Sequence, residues 1–333
     1  MKILITGATG YIGQKLALKL AASGNQVVIL VRNPVKAKKL LNHPQITIFK
    51  GDILDNSSID NALKGCNQVY HLAALASVWH KNPDTFHQIN VTGLQNILNA
   101  CQKWQVKEVL FTSTAGVVGD SKDGQPVAEL TNLNPKLETL YENSKAAAET
   151  LIKKYVKKGI RGIIVNPSRV YGPGLLTESN GFTRLLQMYI HGNWKIKPGD
   201  GYSIGNYVYI DDVVNGMIMA MEKAKPGERY LLGGINASYN AFFSLVNQLT
   251  GVKRKLYRFP LPLMLLLAHM QLLMAKMFGK QPLITPSFVR KYNKNWIVNS
   301  AKAQSELGYT ITPLAEGIKE TISWLNGLES HKQ

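Results

Sequence analysis

A glycine-rich turn close to the N-terminus constrains the fold of this chain more than any other feature. The sequence TGATGYIG occupies residues 6–13, directly after the apolar stretch 3–5 and before a segment with helical periodicity at 13–23. Glycines in such a turn permit a tight reversal, close approach of the main chain to a pyrophosphate and close packing of helix on strand, while the helix N-terminus supplies N–H groups. The sequence therefore predicts a dinucleotide-binding turn formed by Gly7, Thr9, Gly10, Tyr11, Ile12 and Gly13.

Apolar runs and helical segments alternate along the first half of the chain. Periodic segments such as 90–104 separate the runs, and this order is typical of a parallel sheet covered by helices on both faces. We expect an α/β fold with a doubly wound parallel sheet of the Rossmann type. Its strands are predicted at 3–5, 27–31, 46–49, 69–72, 109–112 and 162–165.

The alternation weakens after Tyr171, which predicts a smaller C-terminal substrate subdomain. The sequence contains no internal repeat, and no low-complexity linker lies between the two predicted units. We assign residues 1–172 and 206–236 to the dinucleotide-binding Rossmann domain. Residues 173–205 and 237–333 are assigned to the substrate-binding subdomain.

Composition excludes several classes of protein. The 333 residues include 39 Lys and Arg against 21 Asp and Glu, a net charge of +18, but the lysines are spread along the chain without interleaved aromatic residues. No nucleic-acid partner is therefore expected. Two cysteines, Cys66 and Cys101, are too few for a fold stabilised by a set of disulfides, and no Cys/His cluster has zinc-ligand spacing. We expect reduced thiols, no metal site and a cytoplasmic location.

The most apolar segment, 261–278, is broken by polar residues and by Pro262, and it is shorter than the roughly 20 apolar residues of a spanning helix. We therefore expect no transmembrane helix, and the N-terminus leaves no room for a secretory signal. A helix so rich in Leu and Met packs in the core or lines the substrate pocket. Alternatively, with the basic residues at 253–258, it makes weak contact with a membrane surface.

The end of the second predicted strand favours one form of nicotinamide cofactor. An acidic residue about 20 positions after the glycine turn holds the ribose hydroxyls of NAD, but here the strand ends in Arg32 and Asn33. A guanidinium suits a 2′-phosphate, and Lys36 and Lys38 add positive charge nearby. The alternative is a solvated arginine. We predict that NADP(H) is preferred over NAD(H), with Arg32 as a contact.

Two further strand ends supply candidate cofactor contacts. Asp52 follows the third strand and can accept from the adenine amino group while Ile53 packs on the ring, although an Asp that caps a turn is an equal alternative. After the fourth strand, His71 is expected to be a packed core histidine. The residues that follow it are small enough to let the main chain approach the cofactor, and they are Leu72, Ala73 and Ala74.

A tyrosine and a lysine four residues apart share one face of a predicted helix. Tyr141 and Lys145 lie downstream of a strand that ends in Thr112, Ser113 and Thr114, whose hydroxyls can point at the same site. A nearby ammonium lowers a phenol pKa from its ordinary value near 10 toward neutrality. This arrangement predicts Tyr141 as a general acid/base.

With NPSRVYGPG at 166–174, these motifs resemble those of the extended short-chain dehydrogenase/reductases. Further matches are Asn90, the sequence YVYIDDV at 207–213 and the sequence NSAKA at 299–303. The resemblance covers nearly the whole chain. It implies that Tyr141 is the catalytic acid/base and that Lys145 lowers its pKa and holds the nicotinamide ribose.

The same resemblance implies roles for three more sites. Thr114 lies where the family has its catalytic Ser or Thr, and Ser113 is the alternative. Thr112 is expected to contact the cofactor. Pro167 and Val170 fall in the segment that meets the nicotinamide carboxamide in the family.

Within the superfamily the chain looks most like the dihydroflavonol-reductase-like branch, which borders the 3β-hydroxysteroid dehydrogenases. This implies NADPH-dependent reduction of a ketone or aldehyde on a fairly apolar small molecule. The alternatives are a nucleotide-sugar epimerase/dehydratase with tightly bound NAD(P), for which Arg184 or Arg290 would have to bind the pyrophosphate, and a non-catalytic NADPH-binding protein. Trp79 and His80 are expected to overhang the site. Family members pair through helices equivalent to 90–104 and 141–156, which implies a homodimer.

Overall fold

The computed structural model describes residues 1–131, 135–252 and 254–330. Lys253, one of the basic residues beside the apolar segment, lies outside the described residues. The strands are β1 (Lys2–Thr6), β2 (Gln26–Val31), β3 (Ile46–Lys50), β4 (Gln68–His71), β5 (Glu108–Thr112), β6 (Arg161–Pro167), β7 (Arg169–Tyr171), β8 (Ile196–Pro198), β9 (Ile204–Tyr209), β10 (Arg229–Leu232), β11 (Ile235–Ser238) and β12 (Tyr257–Phe259).

Helices connect these strands. The α-helices are α1 (Tyr11–Ala22), α2 (Pro34–Leu40), α3 (Asn56–Leu63), α4 (Asp84–His87), α5 (Gly93–Lys103), α6 (Leu140–Val156), α7 (Gly181–Ile190), α8 (Ile210–Lys223), α9 (Tyr239–Thr250), α10 (Leu261–Phe278), α11 (Pro286–Tyr292), α12 (Ala301–Leu307) and α13 (Leu314–Ser330). A π-helical turn, Gln88–Thr92, leads into α5, and two short 3-10 turns span Ala115–Val118 and Glu178–Asn180.

Seven parallel strands form the central sheet in the order β3-β2-β1-β4-β5-β6-β10. The strand order reverses between β1 and β4, which is the topological switch point where α/β sheets bind ligands. Successive β1 side chains enter different cores: Ile3 and Ile5 pack with α1 and α8, whereas Leu4 packs with α3, α5 and α6. The predicted doubly wound Rossmann fold is confirmed.

A second lobe is built from the chain that follows β6. It contains a three-stranded sheet, β11-β9-β7, and the pair β12-β8. The predicted division into two units stays a prediction. Within the described chain, β10 lies in the central sheet, and α12 contacts α8 and β10 although its residues belong to the segment assigned to the substrate subdomain.

An aromatic cluster joins the small sheet to α7 and α9. The Phe242 ring on α9 lies 4.7 Å from Phe182 and 4.8 Å from Tyr207, measured between ring centroids, and 6.3 Å from Tyr171. Phe242 is fully buried. Because edge-to-face and tilted aromatic pairs add to the energy of burial, this cluster anchors the second lobe.

Replacing Phe242 with Ala should lower the midpoint of urea unfolding, because it leaves a cavity among three rings. The expected cost is about 3–5 kcal/mol of unfolding free energy. Leu249→Ala on the same helix is the control, since that side chain is 39% exposed, and it should cost less than about 1 kcal/mol. Equal losses in the two variants would show that the aromatic cluster is not the anchor.

Candidate active site

Main-chain segments meet at the glycine turn more closely than side chains would allow. Gly7 has φ of +75°, and a Cβ there would lie 2.6 Å from the Ala73 nitrogen. A Cβ on Gly13 would lie 2.3 Å from the Gly7 carbonyl oxygen. The turn, the start of α1 and the loop after β4 are therefore packed backbone to backbone, as the sequence predicts.

The first turn of α1 has unused N–H groups. The Gln14 N–H donates to the Gly10 carbonyl at 3.0 Å, so the preceding N–H groups of Tyr11, Ile12 and Gly13 have no partner within the helix. The Tyr11 side chain is buried, and its hydroxyl donates to the Gly172 carbonyl at 2.9 Å. Tyr11 therefore offers only its main chain to a ligand, which fits a phosphate at the helix N-terminus.

A buried threonine and histidine hold the loop after β4 against this turn. The Thr6 hydroxyl shares a hydrogen bond of 2.9 Å with His71 Nδ1 and accepts from the Ala73 N–H at 3.2 Å. His71 is fully buried and stacks on Phe111, so its predicted place in the core is confirmed. Burial, and secondly the charge of Lys145, lower the His71 pKa to about 3, so the ring is neutral. Thr6 is the first residue of the TGATGYIG motif, but its role in holding this loop has no signal in the sequence.

A single cavity of about 880 Å³ runs along the carboxyl ends of the strands. Every residue that the sequence predicts to contact the cofactor directly or to act in catalysis lines it, whereas Lys36 and Lys38 do not. These lining residues are Gly7, Thr9, Gly10, Tyr11, Ile12, Gly13, Arg32, Asp52, Ile53, Leu72, Ala73, Ala74, Thr112, Thr114, Tyr141, Lys145, Pro167 and Val170. The structure brings these positions together, while their individual roles stay predictions.

One end of the cavity is shaped by the loops after β2 and β3. Arg32 is exposed there, and Asn33 caps α2 by accepting from the Lys36 N–H at 2.9 Å. Asp52 Oδ1 accepts from the Leu54 N–H at 3.0 Å, so this carboxylate forms a turn as well as lining the cavity. Ile53 also lines the cavity and packs against Gly93, where a Cβ would lie 2.5 Å from it.

Lys145 lies buried at the other end. Its Nζ donates to the Thr112 carbonyl at 2.8 Å and sits 4.6 Å from the centre of the Phe111 ring. Burial lowers the Lys145 pKa to about 7, although the charge of Glu149 opposes this shift. The amine therefore exchanges its proton near neutral pH.

The Tyr141 pKa departs from expectation. Burial, and secondly the charge of Glu142, raise it above the ordinary value of 10, whereas the sequence predicts that Lys145 lowers it toward neutrality. That prediction is wrong for this arrangement, because Lys145 loses much of its own charge near pH 7 and bonds to a carbonyl. The phenol is protonated at neutral pH, and within the described chain its hydroxyl forms no hydrogen bond.

Three hydroxyls at the end of β5 face this part of the cavity. The Thr114 hydroxyl accepts from the Gly116 N–H at 3.2 Å, and the Thr114 carbonyl accepts from Asn166. The Thr112 and Ser113 hydroxyls are buried, and among the residues that the structure describes they have no hydrogen-bond partner. Unpartnered buried hydroxyls are costly, so they fit a site that a bound ligand completes. The arrangement leaves both Thr114 and Ser113 as candidates for contact with the substrate oxygen.

The start of α6 positions Tyr141 and Lys145. Thr139 and Glu142 form a reciprocal capping box, which fixes where the helix begins. Asn90, in the π-helical turn, donates to the Ser144 hydroxyl at 2.9 Å and exchanges two hydrogen bonds with the Leu75 main chain. Asn90 therefore ties the loop after β4 to the helix that carries the tyrosine.

An ion pair that the sequence does not reveal links the two lobes beside the site. Lys291 on α11 pairs with the buried carboxylate of Glu142. Gly116 makes room for this pair, since a Cβ there would lie 2.6 Å from Glu142 Oε1. The two partners are 149 positions apart, and no local pattern relates Lys291 to Glu142, so only the tertiary structure brings them together.

An unexpected arginine lines the substrate end of the cavity. Arg169 lies among three tyrosines, 4.6 Å from the Tyr292 ring centre and 5.7 Å from those of Tyr207 and Tyr239. Among the described residues, no carboxylate forms an ion pair with it. Gly205 makes room for its guanidinium, because a Cβ there would lie 2.3 Å from it.

Three sequence expectations for the substrate side are corrected. Arg184 and Arg290 are exposed and do not line the cavity, where Arg169 stands instead. His80 lines the cavity, but Trp79 does not. No α10 residue lines it either, because α10 packs on α11. The described residues contain no cluster of His, Cys, Asp or Glu able to hold a metal ion.

Comparison with known proteins gives one consistent family. The model of the NAD dependent epimerase/dehydratase family matches residues 3–233. The putative dihydroflavonol 4-reductase of Synechocystis sp. is 28% identical, over 96% of this chain and 93% of that protein. Sterol demethylase protein B of Methylococcus capsulatus is also 28% identical, over 97% of this chain and 98% of that protein. The crystal structure of UDP-glucuronic acid 4-epimerase from Bacillus cereus, with UDP-glucuronic acid and NAD, is 25% identical, with a TM-score of 0.78 over 98% of this chain and 100% of that one.

Replacing Lys145 with Met should raise stability at neutral pH. Burial lowers the Lys145 pKa from its ordinary value of 10.5 to about 7 in the folded chain. The unfolded chain therefore binds more protons between these values, so wild-type stability rises with pH across that window. The advantage of the variant, measured by urea unfolding, should shrink from pH 7 toward pH 10.5.

Lys153→Met is the matched control, because Lys153 is exposed on the same helix. It should give no pH-dependent difference from the wild type. A Lys145→Met variant that is less stable than the wild type at every pH would contradict the account.

Proposed function

The chain belongs to the NAD-dependent epimerase/dehydratase family of extended short-chain dehydrogenases/reductases, and on this premise we propose that it is an NADPH-dependent reductase of a ketone or aldehyde on a fairly apolar small molecule. The observation that carries the proposal is the single cavity that joins the glycine turn to Tyr141, Lys145 and Thr114. Two relatives along nearly the full chain are named as a dihydroflavonol reductase and a sterol demethylase protein, which supports an apolar substrate.

The residues around Tyr141 suit proton delivery to a carbonyl oxygen. When bound, the cofactor would supply a hydride for the carbonyl carbon. Tyr141, whose phenol is protonated at neutral pH, gives a proton to the carbonyl oxygen. The hydroxyl of Thr114, or of Ser113, donates to the same oxygen as negative charge develops on it. This donation leaves a Tyr141 phenolate, and Lys145, whose pKa is about 7, returns a proton to that phenolate.

The walls beyond Tyr141 support an apolar substrate. Leu75, Val78, Phe182, Phe288 and Tyr292 line that part of the cavity. They come from both lobes, since the loop after β4 belongs to the central sheet and α7 and α11 belong to the second lobe. Apolar and aromatic walls with a few polar groups are the common composition of small-molecule sites.

Arg169 supports a second candidate, a nucleotide-sugar epimerase. A half-buried guanidinium that has no carboxylate partner in the described part of the chain suits an anionic group on the substrate, such as a pyrophosphate. The likeness to the UDP-glucuronic acid 4-epimerase agrees with this alternative. In an epimerase the hydride returns to the substrate, so the two candidates differ in whether reduced cofactor is consumed.

The decisive assay follows the absorbance of the reduced nicotinamide with a panel of dihydroflavonols, ketosteroids, aromatic aldehydes and UDP-sugars. We expect NADPH to be consumed with an apolar carbonyl compound. Tyr141→Phe should reduce turnover by roughly 1000-fold while the NADPH dissociation constant changes little, because only the transferable proton is lost. Interconversion of a UDP-sugar without NADPH consumption, or a Tyr141→Phe enzyme with most of its activity, would refute the proposal.

We also propose that Arg32 selects NADPH. Arg32→Glu should weaken NADPH binding by roughly 10- to 100-fold and leave NADH binding little changed, because a charge-assisted contact to the 2′-phosphate is lost. Lys39→Glu on the exposed side of α2 makes the same change of charge and serves as the control. Equal wild-type affinity for the two cofactors, measured by titration of nicotinamide fluorescence, would contradict this assignment.

A further inference from the structure

The apolar helix α10 lies on the surface with almost no cover. Of its residues only Ala268 and Ala275 are buried. Its outward side chains include Leu266 at 57% exposed and Leu273 at 60%, together with Leu263, Leu267, Met270, Met274, Met277 and Phe278. An exposed helix face with this many Leu, Met and Phe side chains marks a contact surface, so we expect something to cover the exposed face of α10.

The path of the chain shows that α10 lies flat against the molecule. The sequence expectation that this segment is too short to span a membrane is corrected here, because by length and composition alone α10 is the one helix in the described ranges that could cross one. However, β12 before it pairs with β8, and after it the N–H groups of Leu283 and Ile284 donate to Gln271 Oε1 in the middle of the helix. Both ends of α10 therefore stay on the same lobe, which suits a helix lying in the plane of a surface.

The charge around α10 identifies the surface. Residues 229–305 contain no Asp or Glu and eleven Lys or Arg. Four of these cations pair with carboxylates from other segments, and they are Arg229, Lys291, Lys294 and Lys302. Lys255, Arg258, Lys276 and Lys280 are exposed next to the ends of the helix or on it. The apolar side chains of α10 match the acyl region of an anionic bilayer, and the cations beside them match its negatively charged headgroups.

We propose that α10 docks this protein in the plane of an anionic lipid bilayer. Burial of the Leu, Met and Phe side chains drives the binding, and the flanking cations select the anionic surface. A second copy of the chain fits less well, because the approach of two such faces would bring the two acid-free, basic segments together.

Docking would set the mouth of the cavity close to the bilayer. Gln281, just after α10, donates to Ser77 at 3.1 Å and to Glu178 at 3.2 Å, and both of these residues line the cavity. Phe288 on α11, the helix that α10 packs against, lines it too. If the substrate is apolar, as proposed above, it would enter from the lipid; only this last step rests on the proposed function.

Flotation of the intact protein with preformed vesicles tests the docking without substrate or cofactor, so its outcome is separate from that of the activity assay. The wild type should float with vesicles of phosphatidylcholine and phosphatidylglycerol and bind at least roughly tenfold more weakly to phosphatidylcholine alone. Raising the salt from about 0.1 M to about 1 M should also weaken binding, because the Debye length falls from about 10 Å to about 3 Å.

The double variant Leu266→Glu, Leu273→Glu should not float, while its circular dichroism and urea midpoint stay as in the wild type. Val35→Glu is the control, because Val35 is 70% exposed on α2 and lies outside the apolar surface of α10. A wild type that fails to float with the anionic vesicles, or a double variant that floats as well as the wild type, would overturn the proposal. Concentration-dependent dimers that the double variant abolishes, without any flotation, would assign this face to a second copy.

Discussion

The site depends on the contact between main chains at Gly7. At this point β1 ends, α1 begins and the loop after β4 crosses, with no space for a Cβ on Gly7 or Gly13. Thr6 and His71 hold the crossing with buried hydrogen bonds. Because β1 and β4 lie at the switch point of the sheet, this contact opens the cavity at their carboxyl ends and leaves free N–H groups at the start of α1.

Buried charges on α6 fix where the catalytic candidates Tyr141 and Lys145 lie. The capping box of Thr139 and Glu142 begins the helix that carries Tyr141 and Lys145, and Lys291 ties the same carboxylate to the second lobe. Burial raises the pKa of the Tyr141 phenol, which is protonated at neutral pH, and lowers the pKa of the Lys145 amine to about 7. The stability that is lost by burying Lys145 is consistent with a functional position.

Local patterns in the sequence predict the central sheet, the glycine turn and the residues that line the cavity. They succeed because strand alternation, turn glycines and the motif around Tyr141 are short-range features. Long-range features escape such reasoning. Arg169 lines the cavity in place of the expected Arg184 or Arg290, because Gly205 has no side chain and leaves space for its guanidinium. The Tyr141 pKa depends on burial. The exposure of α10 depends on how the lobes pack. None of these has a local signal.

The most direct test of the central claim is to trace deuterium from the C4 position of NADPH, using each carbonyl compound that consumes the cofactor. We expect the label to appear on the former carbonyl carbon of the alcohol, with one NADP⁺ formed per product, and we expect Tyr141→Phe to stop the transfer. Conversion of a sugar nucleotide in which no label leaves the added NADPH and no NADP⁺ accumulates would contradict it.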